Sequence, residues 1–315
     1  MSIAIWIAIG VAVLAAAAPI TQGGLRKIDE KQLGKYVAKA GLPLPSHLRE
    51  PLLRRIAARE RWALNGGLIG IVLGAALAFV TRSLDSQGGV LVMLGVVFGS
   101  SVGGVLAILL GRHQFAPDAP RMARSRATEL GDYLTVGERR TARFAPLAAL
   151  VPAIVATLML ALLPHSDAPE FGWWRVVTWV SAGLTLVVWL GSEVLSRKVL
   201  ERPQHAESSL ELAWDDVCRA ESLRGLFSSP VGMAVLTSLS SLIMVGLVIT
   251  DAAASGAPVQ LLATIGIVVM AVSLLVVVAL LIPGMMALAG PYRQQVLRQL
   301  WADADFTAEG RERTC

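Results

Sequence analysis

Seven stretches of the chain run apolar for long enough to leave no polar face: Ile3–Ile20, Leu64–Thr81, Val90–Leu110, Phe144–Leu163, Trp173–Leu195, Val231–Thr250 and Leu261–Pro283. About 20 such residues give a helix that crosses the hydrocarbon core of a bilayer, so each stretch predicts a transmembrane helix. Polar positions in their interiors are mostly Ser, Thr and Gly, and the hydroxyls can bond back to their own helix. Two of the intervening segments carry a different pattern. Ser208 and Glu211 make an S-x-x-E capping box, and Leu210, Ala213, Trp214, Val217, Ala220 and Phe227 then recur at helical spacing. That predicts an amphipathic helix over 208–227, with Asp215, Asp216 and Arg219 largely off the apolar stripe. A second amphipathic stretch follows Ser46, where Leu48, Leu52 and Ile56 stand four apart.

Composition agrees with the pattern. Of 315 residues, 55% are hydrophobic and 16% charged, and the mean hydropathy is +0.62. Soluble domains carry about 25% charged residues, so this chain has too few to cover a water-facing surface. Disorder and a disulfide-stapled secreted module are excluded by the same numbers. The expected fold class is an all-α membrane protein of about seven transmembrane helices.

Charge then sets an orientation. Lys and Arg number ten in 21–63, seven in 111–143, five in 196–230 and four after Gly290; the remaining two of twenty-eight are Arg82 and Arg175. The positive-inside rule makes the rich side cytoplasmic. The N-terminus is then outside and the C-terminus inside, in the cell membrane. The organisation expected is an anchor (1–20), a basic segment (21–63), a first hairpin (64–110), a cytoplasmic segment (111–143) and a second hairpin (144–195). The amphipathic segment (196–230), a third hairpin (231–288) and a cytoplasmic tail (289–315) complete it. Ala15–Ala18 resembles a signal-peptide cleavage site, but Met1–Ile5 lacks the basic n-region such a peptide needs, so the first span is expected to be retained. Trp62, Trp173 and Trp174 stand at span ends, the depth where indoles settle. The high pI is a topology signal, and no nucleic-acid partner is implied. Cys218 and Cys315 fall on the reducing side, where no disulfide is expected.

A partial repeat links Arg112-His113-Gln114-Phe115-Ala116 with Arg202-Pro203-Gln204-His205-Ala206, ninety residues apart and each after an apolar span. An echo joins Arg54–Arg59 with Arg139–Arg143. One anchor followed by three parallel hairpins would explain both, and so would chance matches among Arg- and Ala-rich loops.

Glycine supplies the clearest packing signal. Gly66, Gly70 and Gly74 in the second span, and Gly95, Gly99 and Gly103 in the third, each form G-x-x-x-G-x-x-x-G, a face that admits another backbone closely. The expectation is that the two faces pack on each other; a homodimer through either face is the alternative.

Catalytic signals are weak. Gly99-Ser100-Ser101-Val102-Gly103 matches the G-x-S-x-G nucleophile elbow, but that motif needs a strand-to-helix turn and a base within reach, and the four histidines lie in loops. None of the seven cores holds a central ionisable residue of the kind that marks ion-coupled transport. Asp215-Asp216 lacks the further carboxylates of a magnesium-dependent lipid transferase. No metal-binding Cys/His cluster or phosphate loop appears, so no cofactor and no metal is expected. Pro152 should interrupt the fourth span, and Pro283-Gly284 should end or kink the seventh. Broken helices line binding sites in many transporters, but a lone Pro in a span is more often just a kink. Ser238, Ser240 and Ser241 either line a polar path or bond back within the sixth span.

The phrase Leu210-Glu211-Leu212-Ala213-Trp214-Asp215-Asp216, followed by Arg219-Ala220, resembles segments in uncharacterised multi-pass membrane proteins of high-GC actinobacteria. The resemblance covers the span layout and this one loop and implies no activity. Two functional expectations remain. The first is a non-enzymatic accessory or permease-like subunit, docking a cytoplasmic or membrane partner through 208–227 with Trp214, Asp215 and Asp216. The second is a self-contained facilitator or channel for an uncharged solute, built from the glycine-lined spans and the sixth-span serines.

Overall fold

The computed structural model describes residues 30–80, 86–110, 128–162, 169–254 and parts of 260–306. Among these residues every regular element is a helix: α1 (Glu30–Ala40), α2 (Ser46–Val80), α3 (Ser86–Leu110), α4 (Leu130–Tyr133), α5 (Val136–Ala148), α6 (Leu150–Leu162), α7 (Pro169–Glu201), α8 (Ser209–Ala254) and α9 (Tyr292–Leu300). Five stretches are long and apolar enough to cross a membrane: Ser46–Val80, Gly88–Leu109, Val136–Leu162, Phe171–Glu201 and Ser209–Ala254. The expected first span lies outside the described residues, as do the 112–116 half of the repeat and Pro283-Gly284. Only part of the expected seventh span is described, and the described part is helical.

Two of the helices are longer than a bilayer crossing needs. At the standard helical rise α8, with 46 residues, is about 69 Å long, and α2, with 35, about 52 Å. The hydrocarbon core is about 30 Å thick. Both helices therefore carry an amphipathic half beyond their apolar half. The sequence pattern splits each into a loop-borne helix and a span, but the backbone runs through. Pro230 withholds only the donor that the Leu226 carbonyl would receive, and the helix continues past it.

Two cores result. In the apolar half α8 is the central helix. Its Met233, Met244, Val245 and Val248 pack with Leu91 and Leu94 of α3, Met159 and Leu160 of α6, and Phe171, Trp174 and Val177 of α7. In the other half, which we call the head, Leu210, Trp214, Val217 and Cys218 of α8 pack with Leu33 of α1, Leu42, and Leu48 and Leu52 of α2. Gly41 makes the turn between α1 and the Leu42–Pro45 linker. It adopts the left-handed conformation (φ 72°) that closes a helix C-terminus, and its N–H donates to the Val37 carbonyl at 2.9 Å.

At Pro152, which has no N–H to give the Ala148 carbonyl, the break is slight: α5 ends at Ala148, Ala149 is a turn residue that keeps helical dihedrals, and α6 resumes at Leu150.

A buried polar hub in the head

The start of α8 is set by its cap. Ser208 Oγ accepts from the Glu211 N–H at 3.2 Å. The Glu211 carboxylate accepts from the Glu207 N–H at 2.8 Å and lies 3.3 Å from His47 Nε2 on α2. From this cap to Phe227 the helix is covered on almost every side. The apolar stripe is buried, and so are Glu211, Asp216, Arg219 and Arg224 from the polar face.

Trp214, Asp215 and Asp216 are thus engaged by other segments of the same chain. Trp214 is fully buried. Its Nε1 donates to the Pro43 carbonyl at 3.0 Å, and its ring stacks on Tyr36 of α1, centroids 6.2 Å apart. Tyr36 also donates to Glu221 at 2.9 Å. Asp215 accepts from Arg55 of α2 at 2.6 Å and from Gln204 at 2.9 Å. Asp216, with no solvent exposure, accepts from Gln204 at 2.9 Å, Tyr133 of α4 at 3.1 Å and Trp301 after α9 at 2.9 Å. Two adjacent carboxylates on one helix tie together three remote pieces of chain and the segment that precedes the helix. Each would be costly to bury without such donors.

These groups stand outside the apolar halves of α2 and α8, which begin at Leu64 and Val231. Burial acts to raise the Asp215 pKa, but the Arg55 guanidinium beside it, helped by Arg219 and Gln204, holds the carboxyl below its ordinary 3.8. Burial likewise pushes the Cys218 thiol up, to about 11, despite Arg55 nearby. A thiol so placed is little ionised at neutral pH and is a poor nucleophile.

Arginines close the helix ends that meet at the head. Arg202 donates to the Ile108 and Leu109 carbonyls at 2.7 and 2.8 Å, capping the C-terminus of α3. Arg219 donates to the Leu200 and Arg202 carbonyls at 3.3 and 2.8 Å, doing the same for α7. The last carbonyls of a helix have no partner within it and carry its negative pole, so a guanidinium meets both needs. The Arg202–Ala206 half of the sequence repeat is therefore built from a cap, Arg202, and a bridge, Gln204. A further buried pair joins α5 to α8. Arg224 Nε lies 2.8 Å from Glu138 Oε1, and Arg224 Nη2 donates to Oε2 at 3.1 Å. Glu138 doubles as the third residue of the capping box that starts at Thr135.

In the apolar half the six glycines lie between α2 and α3. A methyl added at Gly66 would meet the Gly99 backbone, one at Gly70 or Gly95 the other's carbonyl, and one at Gly103 the Trp62 carbonyl. A methyl at Gly74 would sit 2.6 Å from the Leu91 oxygen. Both faces are filled by backbone of the same chain. The serines are enclosed too. Ser238, Ser240 and Ser241 are buried and donate to the Ala234 or Thr237 carbonyls at 2.7–2.9 Å. Across the α7–α8 contact, Ser181 and Ser240 lie 3.3 Å apart and Thr185 and Thr237 2.9 Å. Ser101 donates to Val97 in its own helix at 2.7 Å.

Among the described residues no group of three or more His, Cys, Asp or Glu is placed to hold a metal ion. Comparison with known proteins gives no match to a family model, to a curated protein or to a solved structure. The class rests on the helices themselves: among the described residues every regular element is helical, and several stretches are able to cross a membrane.

Proposed function

We propose that the chain is a non-enzymatic, accessory or permease-like subunit of the cell membrane, with its head in the cytoplasm and a further protein bound to the head's exterior. The observation that carries this reading is the continuity of α8. One helix forms the centre of both cores, so a displacement applied to the head reaches the membrane half without a hinge loop between them.

Orientation follows from charge. The basic residues Arg55 and Arg59 of α2, Arg143 of α5 and Arg224 of α8 are each paired within the head or at its junction with the apolar half. Arg175 lies near the opposite end, beside Phe171 and Trp174. The positive-inside rule assigns the arginine-rich end to the cytoplasm, which with seven spans leaves the N-terminus outside. The partner contact belongs on exposed head residues such as Glu50, Arg54 and Glu207, because Trp214 and Asp216 are covered. The segment 208–227 then supports that contact from beneath. A solute path through the serines and glycines has less support, since both sets are closed by packing.

Purification in mild detergent from the native host, with mass spectrometry of what stays bound, tests the reading. A stoichiometric second protein, lost on Glu50→Lys or Glu207→Lys while the chain stays inserted, is the expected result. Recovery of the chain alone would refute the subunit reading.

A further inference from the structure

We infer that the seam between α5 and α7 is a binding site for one bilayer phospholipid with an anionic headgroup. The inference rests on the membrane reading above and adds a ligand to it. Arg143 of α5 lies 3.5 Å from Glu193 of α7, which fixes the two helices side by side at this level. Arg140, one turn before Arg143, and Arg197, one turn after Glu193, are both exposed, and the Arg143 side chain is 60% exposed. Arg140, Arg143 and Arg197 thus lie within about one helical turn of the Arg143–Glu193 contact, whose carboxylate is only 24% exposed, and the other nearby acid on α7, Glu201, stands a further turn on. The excess charge is positive and open to the outside of the protein.

Next to this cluster the surface changes character within a turn. Phe144 and Leu147 on α5, and Val194 and Leu190 on α7, are all more than 40% exposed. They lie on the membrane side of the arginines. A phosphate at the arginines and an acyl chain along these four side chains satisfy the two halves of the seam together. Arginine suits this role because its planar fork binds phosphate oxygens in pairs. Glu193 competes with the lipid for Arg143, which gives the site a residue whose removal should tighten binding.

The test uses the whole protein in nanodiscs of phosphatidylcholine doped with phosphatidylglycerol, with retained lipid counted by native mass spectrometry. Wild type is expected to retain phosphatidylglycerol over phosphatidylcholine. Arg140→Gln, Arg143→Gln and Arg197→Gln should each weaken that retention roughly fivefold, the effect of one cation near an anionic surface. Arg143→Lys, which keeps the charge, should lose less, and Glu193→Gln should increase retention, a gain that misfolding cannot produce. Arg61→Gln, at an exposed arginine of α2, is the control and should change little. No headgroup preference, an equal loss in Arg61→Gln, or no gain in Glu193→Gln would overturn the site. Failure of the chain to enter nanodiscs at all would instead count against the membrane reading.

Discussion

Replacing Trp214 separates a structural hub from an exposed docking residue. The side chain is fully buried, stacks on Tyr36 and donates to the Pro43 carbonyl. Truncation to Ala in a packed core costs about 3–5 kcal/mol, and the unpaired Pro43 carbonyl adds about 1 kcal/mol. The loss should fall on the head, because Trp214 touches α1 and the Leu42–Pro45 linker, not the apolar core. Cys218, one turn along the same helix and in the same cluster, reports it. In a Cys315→Ser background, wild-type Cys218 should react slowly with maleimide at neutral pH, being buried with its thiol pKa pushed up to about 11. If labelling follows opening of the head, a loss of about 4 kcal/mol, the lower end of that sum, speeds it by about 700-fold. Trp214→Phe keeps most of the volume but loses the hydrogen bond, and about 1–1.5 kcal/mol gives roughly tenfold. Equal labelling rates in wild type and Trp214→Ala would refute the reasoning. Loss of a bound partner with unchanged labelling would restore Trp214 as a docking residue.

Other outcomes follow from the same geometry. Gly70→Ala should lower thermal stability in detergent by about 1–3 kcal/mol or more through overpacking. Gly104→Ala, where an added methyl meets nothing within 4 Å, should be within about 0.5 kcal/mol of wild type, and equal effects would deny the close α2–α3 contact. Because the folded Asp215 pKa is depressed below 3.8, its contribution is present above that pH and drains away as pH falls through the folded value. Protease resistance of the head should therefore drop in acid, and Asp215→Asn should weaken the head at neutral pH and flatten the acid limb. At the buried Glu138–Arg224 pair, removing one partner should cost about 3–5 kcal/mol. Glu138→Leu combined with Arg224→Met should cost less than the sum of the single changes, and additivity in thermal melts would contradict the pairing.

Much of the apolar half was legible in the sequence, because a bilayer imposes one simple rule on composition and length. Five of the expected spans coincide with long apolar helices. The glycine spacing marked which faces of α2 and α3 admit close approach. Pro152 marked a break for a reason internal to one helix. The head was less legible. A change from amphipathic to fully apolar pattern looks like a boundary between elements, yet in α2 and α8 it marks only a change of surroundings along one helix. The pattern places Asp215 and Asp216 off the apolar stripe and open to a docking partner, because Arg55, Tyr133 and Trp301, which hold them, are remote in sequence and local periodicity carries no record of them. Arg202 and Arg219 left a faint signal. Each is a basic residue near the end of an apolar run, which the positive-inside rule explains as topology before capping is considered.

Labelling from either side of the membrane tests the proposed cytoplasmic placement of the head. In a cysteine-free background, Arg54→Cys reports the head exterior, where the arginine side chain is 58% exposed, and Arg175→Cys reports the opposite end of α7. A membrane-impermeant maleimide should label Arg54→Cys in inverted vesicles but not in intact cells, and Arg175→Cys the other way round. Labelling of both positions from the same side, or of Arg54→Cys from outside, would contradict the account.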